Sequence, residues 1–300
     1  MTAHDGRVVE ECAIQLGPHW MRNTTKPQSR PPHLVDDGNK IVVQCDAFGL
    51  VFDKAKGDFD TADGRHTAAV VSFPSPHVTR YDFGDLNGPN SPPYAVFPEA
   101  STRQFERAEA KQETNGVRLV VHDHYKNFHG STSWLIENSG REIVSCDYTY
   151  SGQKMDTREA GIRIVMKPAC EELKWHRWSE WGVFPNESIS RTEGTAKAHR
   201  DPKLVAKWNE KPSWPWSLDE TEQGTADFRS VKLNVYESSL IAPDGSGLTL
   251  HASADAHFRA ALARDGVVAH LLSRCRLGQM PLNPNDHLTA EFVVELLPRR

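Results

Sequence analysis

Apolar and polar residues alternate with a period of two along much of the chain, and short turn-forming stretches separate the alternating runs. This pattern is typical of half-buried antiparallel strands, whose successive side chains point to opposite faces of a sheet. The clearest runs are Gly116–Tyr125, Ser131–Glu137, Glu142–Tyr150, Gly161–Lys167, Val231–Leu240, Leu248–Ala252, Ala256–Ala263, Val267–Cys275 and Leu288–Leu297. The sequence therefore predicts an all-β fold.

The first half of the chain is less regular. Lys40–Phe52 is rich in β-branched and aromatic residues and closes in a turn at Asp53–Gly57, and Thr67–Phe73 is predicted to form a further strand. Residues 82–98 are rich in proline and are predicted to form a long loop. Ser101–Glu113 has the composition of a helix, although strand pairing can override such a propensity.

A second proline-rich stretch, residues 17–38, has almost no periodicity and indicates a linker. We therefore predict that residues 1–35 are an N-terminal strand and a Pro-rich linker, the tail of a preceding domain. Residues 36–300 are predicted to form one β-sandwich domain. So many strands with so little helix exclude a (β/α)8 barrel and favour two stacked antiparallel sheets.

Charge and composition narrow the classes of partner. The 300 residues carry a formal net charge of −5 and no block of Lys and Arg, which argues against nucleic acid. No apolar run approaches the roughly 18 residues of a membrane span, so no membrane partner is expected. The polar N-terminus lacks the pattern of a signal peptide, from which we expect a cytoplasmic protein.

Cofactor and metal motifs are missing from the sequence. The five cysteines are widely spaced, with no Cys-x-x-Cys pair, and are predicted to be free thiols. No Gly-rich phosphate loop, nucleophile elbow or metalloprotease motif occurs. We expect no cofactor and no metal.

Tryptophans gather in two places, at Trp175, Trp178 and Trp181 and again in the loop Lys207–Asp219. The loop residues Trp208, Trp214 and Trp216 alternate with prolines, which stiffen it. Such aromatic side chains could stack on the apolar face of a sugar, with nearby carboxylates bonding its hydroxyls. They could equally fix the loop onto a neighbouring domain, and the first group could be a corner of the core.

His122, Asp123 and His124 form the densest group of ionisable residues. In a strand, His122 and His124 share one face while Asp123 points to the other. Two such imidazoles could contact a sugar, act as acid and base, or bind a metal with a third ligand. They could also be ordinary hydrogen-bonded histidines on a strand.

The segment Lys174–Ala196 resembles a motif in the last domain of family 2 glycoside hydrolases, the β-galactosidase small chain domain. In that motif a strand ending in W-x-G runs into a proline turn followed by E/N-x-Y-P-D-R. The matching residues here are Trp181-Gly182, Pro185, Asn186-Glu187 and Arg191, whereas Ser188 and Ser190 replace its Tyr and Asp.

Three further segments resemble the same domain in the same order. Ile41–Phe59 is similar to its opening strand, which ends in F-D-x-x-x-G, Gly224–Leu240 to its late strand pair, and His287–Pro298 to its closing strand. The resemblance covers roughly residues 36–298. The corresponding late loop, Leu277–Asn285, lacks the tryptophan that some members carry there.

The resemblance implies an antiparallel β-supersandwich of the galactose-mutarotase-like type. It also implies a non-catalytic C-terminal domain or small subunit of a β-galactosidase-like glycoside hydrolase, which would shape the sugar site. The catalytic carboxylates would then belong to a (β/α)8 barrel domain or subunit outside this chain, and carbohydrate would be the ligand. Glu187 lies in a proline turn and is expected to pair with Arg191 near the sugar instead of serving as a catalytic acid.

Two other functions fit the sequence. One is a free-standing aldose 1-epimerase-like enzyme that uses His122 or His124 with a carboxylate such as Glu237. The other is a carbohydrate-binding module with no chemistry. A concave face holding a buried histidine and a carboxylate about 6 Å apart would favour the epimerase, whereas an empty concave face with a large exposed apolar flank would favour the subunit.

Overall fold

The structure is a computed structural model that describes residues 30–63, 68–81, 94–178, 192–198, 228, 231–263 and 266–299. These residues form seventeen strands and one 3-10 turn, Ala100–Thr102, and this part of the chain holds no α-helix. In chain order, the strands are β1 His33–Asp36, β2 Lys40–Gln44, β3 Gly49–Asp53, β4 Asp58–Phe59, β5 Ser75–Tyr81, β6 Tyr94–Phe97, β7 Gln104–Glu113, β8 Gly116–Tyr125, β9 Phe128–Glu137, β10 Glu142–Tyr150, β11 Met155–Met166, β12 Glu172–Arg177, β13 Glu193–Lys197, β14 Lys232–Ile241, β15 Gly247–Ala263, β16 Gly266–Leu282 and β17 His287–Leu297. The predicted all-β, antiparallel fold is confirmed.

The strands form two antiparallel sheets. A four-stranded sheet has the order β1-β2-β3-β4, and a thirteen-stranded sheet has the order β6-β5-β11-β16-β15-β17-β10-β9-β8-β7. Beyond this path, β14 pairs with β15 and β12, and β12 pairs with β13. The large sheet is curled into a half-barrel, so its inner face encloses a core.

Burial follows the alternation of the sequence most strictly in β8, β10 and β17, where every second side chain is buried. The core joins the two sheets through aromatic residues. Phe52 and Phe59 of the small sheet pack edge-to-face at 6.2 Å, and Phe59 lies 6.0 Å from the Trp134 ring of the large sheet. Edge-to-face pairs of this kind add to the stabilisation that apolar burial provides.

Several elements differ from what their local sequence suggests. The helical propensity of Ser101–Glu113 is overridden by strand pairing, the alternative left open above: after a short 3-10 turn the segment is strand β7, because its backbone pairs with β8. Lys40–Phe52 is two strands, since Cys45 and Phe48 close a tight turn. The Thr67–Phe73 segment makes only one isolated bridge among its described residues, between Val70 and Met166.

Three further differences concern β6, β15 and β16. Strand β6 lies inside the predicted loop 82–98, and β16 continues to Leu282, well beyond the predicted Cys275. The two predicted strands 248–252 and 256–263 are one strand, β15, with Ala254 in a left-handed conformation at φ 63° where the register shifts. Residues 1–29, with the predicted N-terminal strand and most of the linker, lie outside the described residues.

Candidate functional site

Four ionisable side chains meet on neighbouring strands of the large sheet. His77 comes from β5, Glu159 from β11, Arg259 from β15 and His270 from β16, in the strand order β5-β11-β16-β15. In the register of the sheet, Arg259 lies directly opposite His270. Glu159 lies opposite Thr79, which is on the same face of β5 as His77. Directly opposed residues share a face, so the pairing brings the four together. We call them the charged cluster.

The contacts within the charged cluster are short. Arg259 donates a hydrogen bond of 2.7 Å to Glu159 Oε2, and His77 Nε2 lies 3.3 Å from the same oxygen. The ring centroids of His77 and His270 lie 4.3 Å apart, and the two ring planes are tilted by 52° to each other. His77 and Glu159 are 0% exposed and Arg259 and His270 are 6% exposed, so the cluster is sealed from bulk water.

Burial and charge set the protonation of the cluster. Burial would raise the pKa of Glu159, but the adjacent Arg259 and His77 outweigh it and lower that pKa to about 2. Burial lowers the pKa of His77, although the hydrogen bond and charge of Glu159 act to raise it. Burial and the charge of Arg259 lower the pKa of His270 well below its ordinary value. At neutral pH the cluster therefore holds one ion pair and two neutral imidazoles.

Some polar atoms of the charged cluster lack protein partners. His77 Nδ1, Glu159 Oε1 and His270 Nδ1 are buried and bond to no protein atom in the described part of the chain. Buried polar atoms in folded proteins are nearly always bonded to protein or to ordered water. These atoms could bond buried water.

A second polar group ties the two sheets together. Tyr148 donates a short hydrogen bond to Asp123, and Arg103 Nε donates to the same carboxylate at 2.7 Å. Arg103 also donates to the backbone carbonyl of Gly57, 2.9 Å away in the β3–β4 hairpin. This network is part of the core, and the Asp123 side chain is 4% exposed.

The structure places His122 and His124 away from the charged cluster, on the opposite face of β8 from the buried Asp123. His124 Nδ1 lies 2.9 Å from Glu106, and His122 Nε2 lies 3.6 Å from Glu109. Glu237, the carboxylate suggested as their partner, instead approaches His251 at 3.9 Å. The face alternation follows the sequence, but these histidines form separate surface pairs.

The other predicted site residues, Trp208, Trp214, Trp216, Glu187 and Arg191, lie outside the described residues. Of the first tryptophan group, Trp175 belongs to the core: it is 4% exposed, with Lys232 Nζ 4.9 Å from its ring centroid. Gly194, its cross-strand neighbour, leaves room for the indole, because a Cβ there would overlap the ring. For this residue the core interpretation is the one that the structure supports.

The charged cluster was missed by the sequence interpretation. Successive members are 82, 100 and 11 residues apart and belong to no local motif, so only strand pairing unites them. One signal was present: Arg259 and His270 each interrupt a short apolar run, F-R-A-A-L and V-V-A-H-L-L, where a buried ionisable group needs a partner. Within the described ranges, no group of three or more His, Cys, Asp or Glu could hold a metal ion. No helix found there is long and apolar enough to cross a membrane.

No protein-family model matches the chain, and a search of curated proteins gives no match. Among solved structures, similarity extends to an active YidC insertase with its first transmembrane domain resolved (12% identity, TM-score 0.29, 92% of this chain and 42% of that one). It also extends to an α-N-acetylgalactosaminidase from Bifidobacterium bifidum in complex with GalNAc (13% identity, TM-score 0.30, 90% of this chain and 35% of that one). A third similar structure is HI1317 (9% identity, TM-score 0.35, 89% of this chain and 97% of that one). The chain spans less than half the length of the first two proteins. At these TM-scores none of the three carries an argument about function.

Proposed function

We propose that this chain is a non-catalytic β-sandwich domain or small subunit of a family 2 β-galactosidase-like glycoside hydrolase. It would bind carbohydrate and pack beside a (β/α)8 catalytic domain or subunit that supplies the paired carboxylates. Hydrolysis would then retain the anomeric configuration, with both reacting acids outside this chain. The proposal rests on the resemblance of the sequence, on the all-β fold and on the state of the charged cluster.

The observation that carries the proposal is that the buried histidine–carboxylate pair is sealed and ion-paired. A general acid or base must touch its substrate and works best with a pKa near the working pH. Glu159 has a pKa of about 2 and is 0% exposed, and its partner His77 is also 0% exposed. A carboxylate neutralised by Arg259 in this way is suited to holding four strands together, and poorly suited to proton transfer.

The local structure of the F-D-x-x-x-G segment also supports the proposal. Asp53 Oδ1 accepts hydrogen bonds from the backbone amides of Ala55 and Lys56, at 2.8 and 3.2 Å. Gly57 donates to the Asp53 carbonyl at 2.8 Å and adopts a φ of +67°, which favours glycine. The motif's Asp and Gly are thus explained by one tight turn, and the segment's role is structural.

The proposal is tested by mixing the purified chain with a candidate barrel chain and measuring hydrolysis of a chromogenic β-galactoside. We expect no turnover by this chain alone, and turnover by the pair that exceeds that of the barrel chain alone. Size-exclusion chromatography should show a complex. Turnover by this chain alone, or a barrel chain whose activity and elution it never changes, would contradict the proposal.

A second candidate function is favoured by one specific distance. His77 Nε2 and Glu159 Oε2 are 3.3 Å apart, within the separation of about 6 Å expected for an aldose 1-epimerase-like pair. The unpartnered His77 Nδ1, Glu159 Oε1 and His270 Nδ1 could serve sugar hydroxyls. Exchange NMR between the two anomers of galactose tests this candidate: an exchange rate that rises with the concentration of this chain would support it, and the rate of buffer alone would exclude it.

A further inference from the structure

A pocket of about 640 Å³ lies at the end of the large sheet where the β8–β9, β10–β11 and β16–β17 turns meet strands β5 and β6. A volume of this size suits a small organic ligand and exceeds what an inorganic ion needs. Its apolar wall includes Phe97, Met155 and Pro284, and Tyr150 lies among them. We call it the basic pocket.

The charged residues that line the basic pocket all carry the same sign. They are Arg80, Lys126 and Lys154, and no carboxylate is among its described lining residues. Burial raises the pKa of the Tyr150 phenol, and the positive charge of Arg80 opposes that rise. This local concentration of positive charge contrasts with the negative net charge of the chain.

The floor of the basic pocket is held rigidly by hydrogen bonds between turns. Ser151 N donates to the Asn127 carbonyl at 2.9 Å, and Asn285 N donates to the Tyr150 carbonyl at 2.7 Å. The Tyr150 hydroxyl donates to the Gln153 carbonyl at 2.5 Å, folding the β10–β11 connection around the ring. A site that is already ordered loses less entropy when a ligand binds.

Polar groups without charge complete the lining. Asn127, Ser151 and Gln153 supply amide and hydroxyl groups that can bond to hydroxyls of a ligand. An adjoining recess of about 70 Å³ shares Phe97, Lys126 and Asn127 with the pocket, and Glu99 is among its other lining residues. The recess is too small for a sugar ring but continues the groove.

We propose that the basic pocket binds an acidic saccharide, with the carboxylate of a uronic acid beside Lys126 and Lys154. Its ring would lie against the apolar wall, and its hydroxyls would bond to Asn127 and Gln153. The ammonium groups of Lys126 and Lys154 would favour a negatively charged ligand over a neutral one. The apolar wall would favour a ligand with a ring over a bare anion. This inference deepens the proposed function, because it assumes that the chain binds carbohydrate.

The test compares four probes by isothermal titration calorimetry on the full chain: digalacturonate, the corresponding neutral digalactoside, sodium galacturonate and sodium sulfate. We expect digalacturonate to bind more tightly than the neutral disaccharide and than sulfate, and its affinity to fall as NaCl is raised, because exposed charges are screened. The variant Lys126→Gln/Lys154→Gln should lose roughly fivefold to tenfold in affinity for digalacturonate. Lys111→Gln, an exposed lysine on β7 outside the pocket, is the matched control and should change nothing.

Each other outcome has a defined meaning. Equal affinities for the acidic and neutral disaccharides, sulfate binding as tight as digalacturonate, or an unchanged double variant would overturn the basic pocket as an acidic-sugar site. If neutral saccharides bind while digalacturonate does not, this inference fails and the proposed function stands. If the chain binds no saccharide and never raises the activity of a barrel chain, both fail.

Discussion

Replacing Glu159 by glutamine should destabilise the chain strongly, because the substitution leaves Arg259 buried without its counter-charge. A pKa of about 2 in place of the ordinary 4.5 corresponds to about 3 kcal/mol of stabilisation of the ionised carboxylate. Breaking a buried ion pair by removing one partner costs about 3 to 5 kcal/mol in comparable cases. We therefore expect Glu159→Gln to lower the free energy of unfolding by about 3 kcal/mol or more at pH 7.

Urea denaturation followed by tryptophan fluorescence and far-ultraviolet circular dichroism measures this change. The matched control is Glu109→Gln, which removes an exposed pair with Arg107 at 2.8 Å and should leave stability unchanged. Because the pKa of Glu159 is lowered, its contribution is present above about pH 4.5 and is lost as the pH falls towards about 2. The difference in the free energy of unfolding between wild type and the Glu159→Gln variant should therefore become smaller in acid.

The double variant Glu159→Leu/Arg259→Met separates charge from packing. Replacing a whole buried ion pair by apolar side chains of similar size is often neutral or stabilising. We expect the double variant to recover most of the stability that Glu159→Gln loses. A Glu159→Gln variant as stable as the Glu109→Gln control would show that water reaches the charged cluster and replaces the lost contact, so that the ion pair does not stabilise the fold.

Three further substitutions probe other parts of the core. Burial raises the pKa of Glu142 to about 8, so the folded chain keeps a proton that the unfolded chain releases above about pH 4.5. Stability should fall between about pH 4.5 and 8, and Glu142→Gln should flatten that slope in denaturation curves; parallel slopes would contradict this. Gly194→Ala should lower the free energy of unfolding, followed by thermal melts, by about 1 to 3 kcal/mol, because the added Cβ would overlap the Trp175 ring. An unchanged melting temperature would count against that packing. Tyr148→Phe removes a hydrogen bond to the buried Asp123 and should cost about 2 kcal/mol in urea, whereas a loss within error would show that water replaces it.

The fold class could be predicted from the sequence because alternation of buried and exposed residues is a local property. The runs that became β8, β10 and β17 show it directly, and the structure buries every second residue there. Strand β7 was different: its Glu, Ala, Lys and Gln favour a helix, yet its pairing with β8 decides the outcome. Local propensity could not indicate that a partner strand would be available.

The position of the charged cluster could not be predicted for a related reason. Glu159 and Arg259 are 100 residues apart, and only the order β11-β16-β15 brings them to 2.7 Å. In contrast, His122 and His124 are neighbours in sequence and attracted attention, but strand geometry turns both outward to Glu109 and Glu106. Proximity along the chain was a poor guide to proximity in space.

The charged cluster is held by a sealed structural ion pair, and in the proposed function the chemistry on sugars takes place outside this chain. The most direct test is to label glutamate with carbon-13 at the side-chain carboxyl, to assign Glu159 with the Glu159→Gln variant, and to follow its chemical shift with pH. The carboxyl should stay ionised from pH 8 down to about pH 4, with a pKa of about 2. A carboxyl that titrates between about pH 5 and 7, and whose titration shifts when galactose is added, would contradict it.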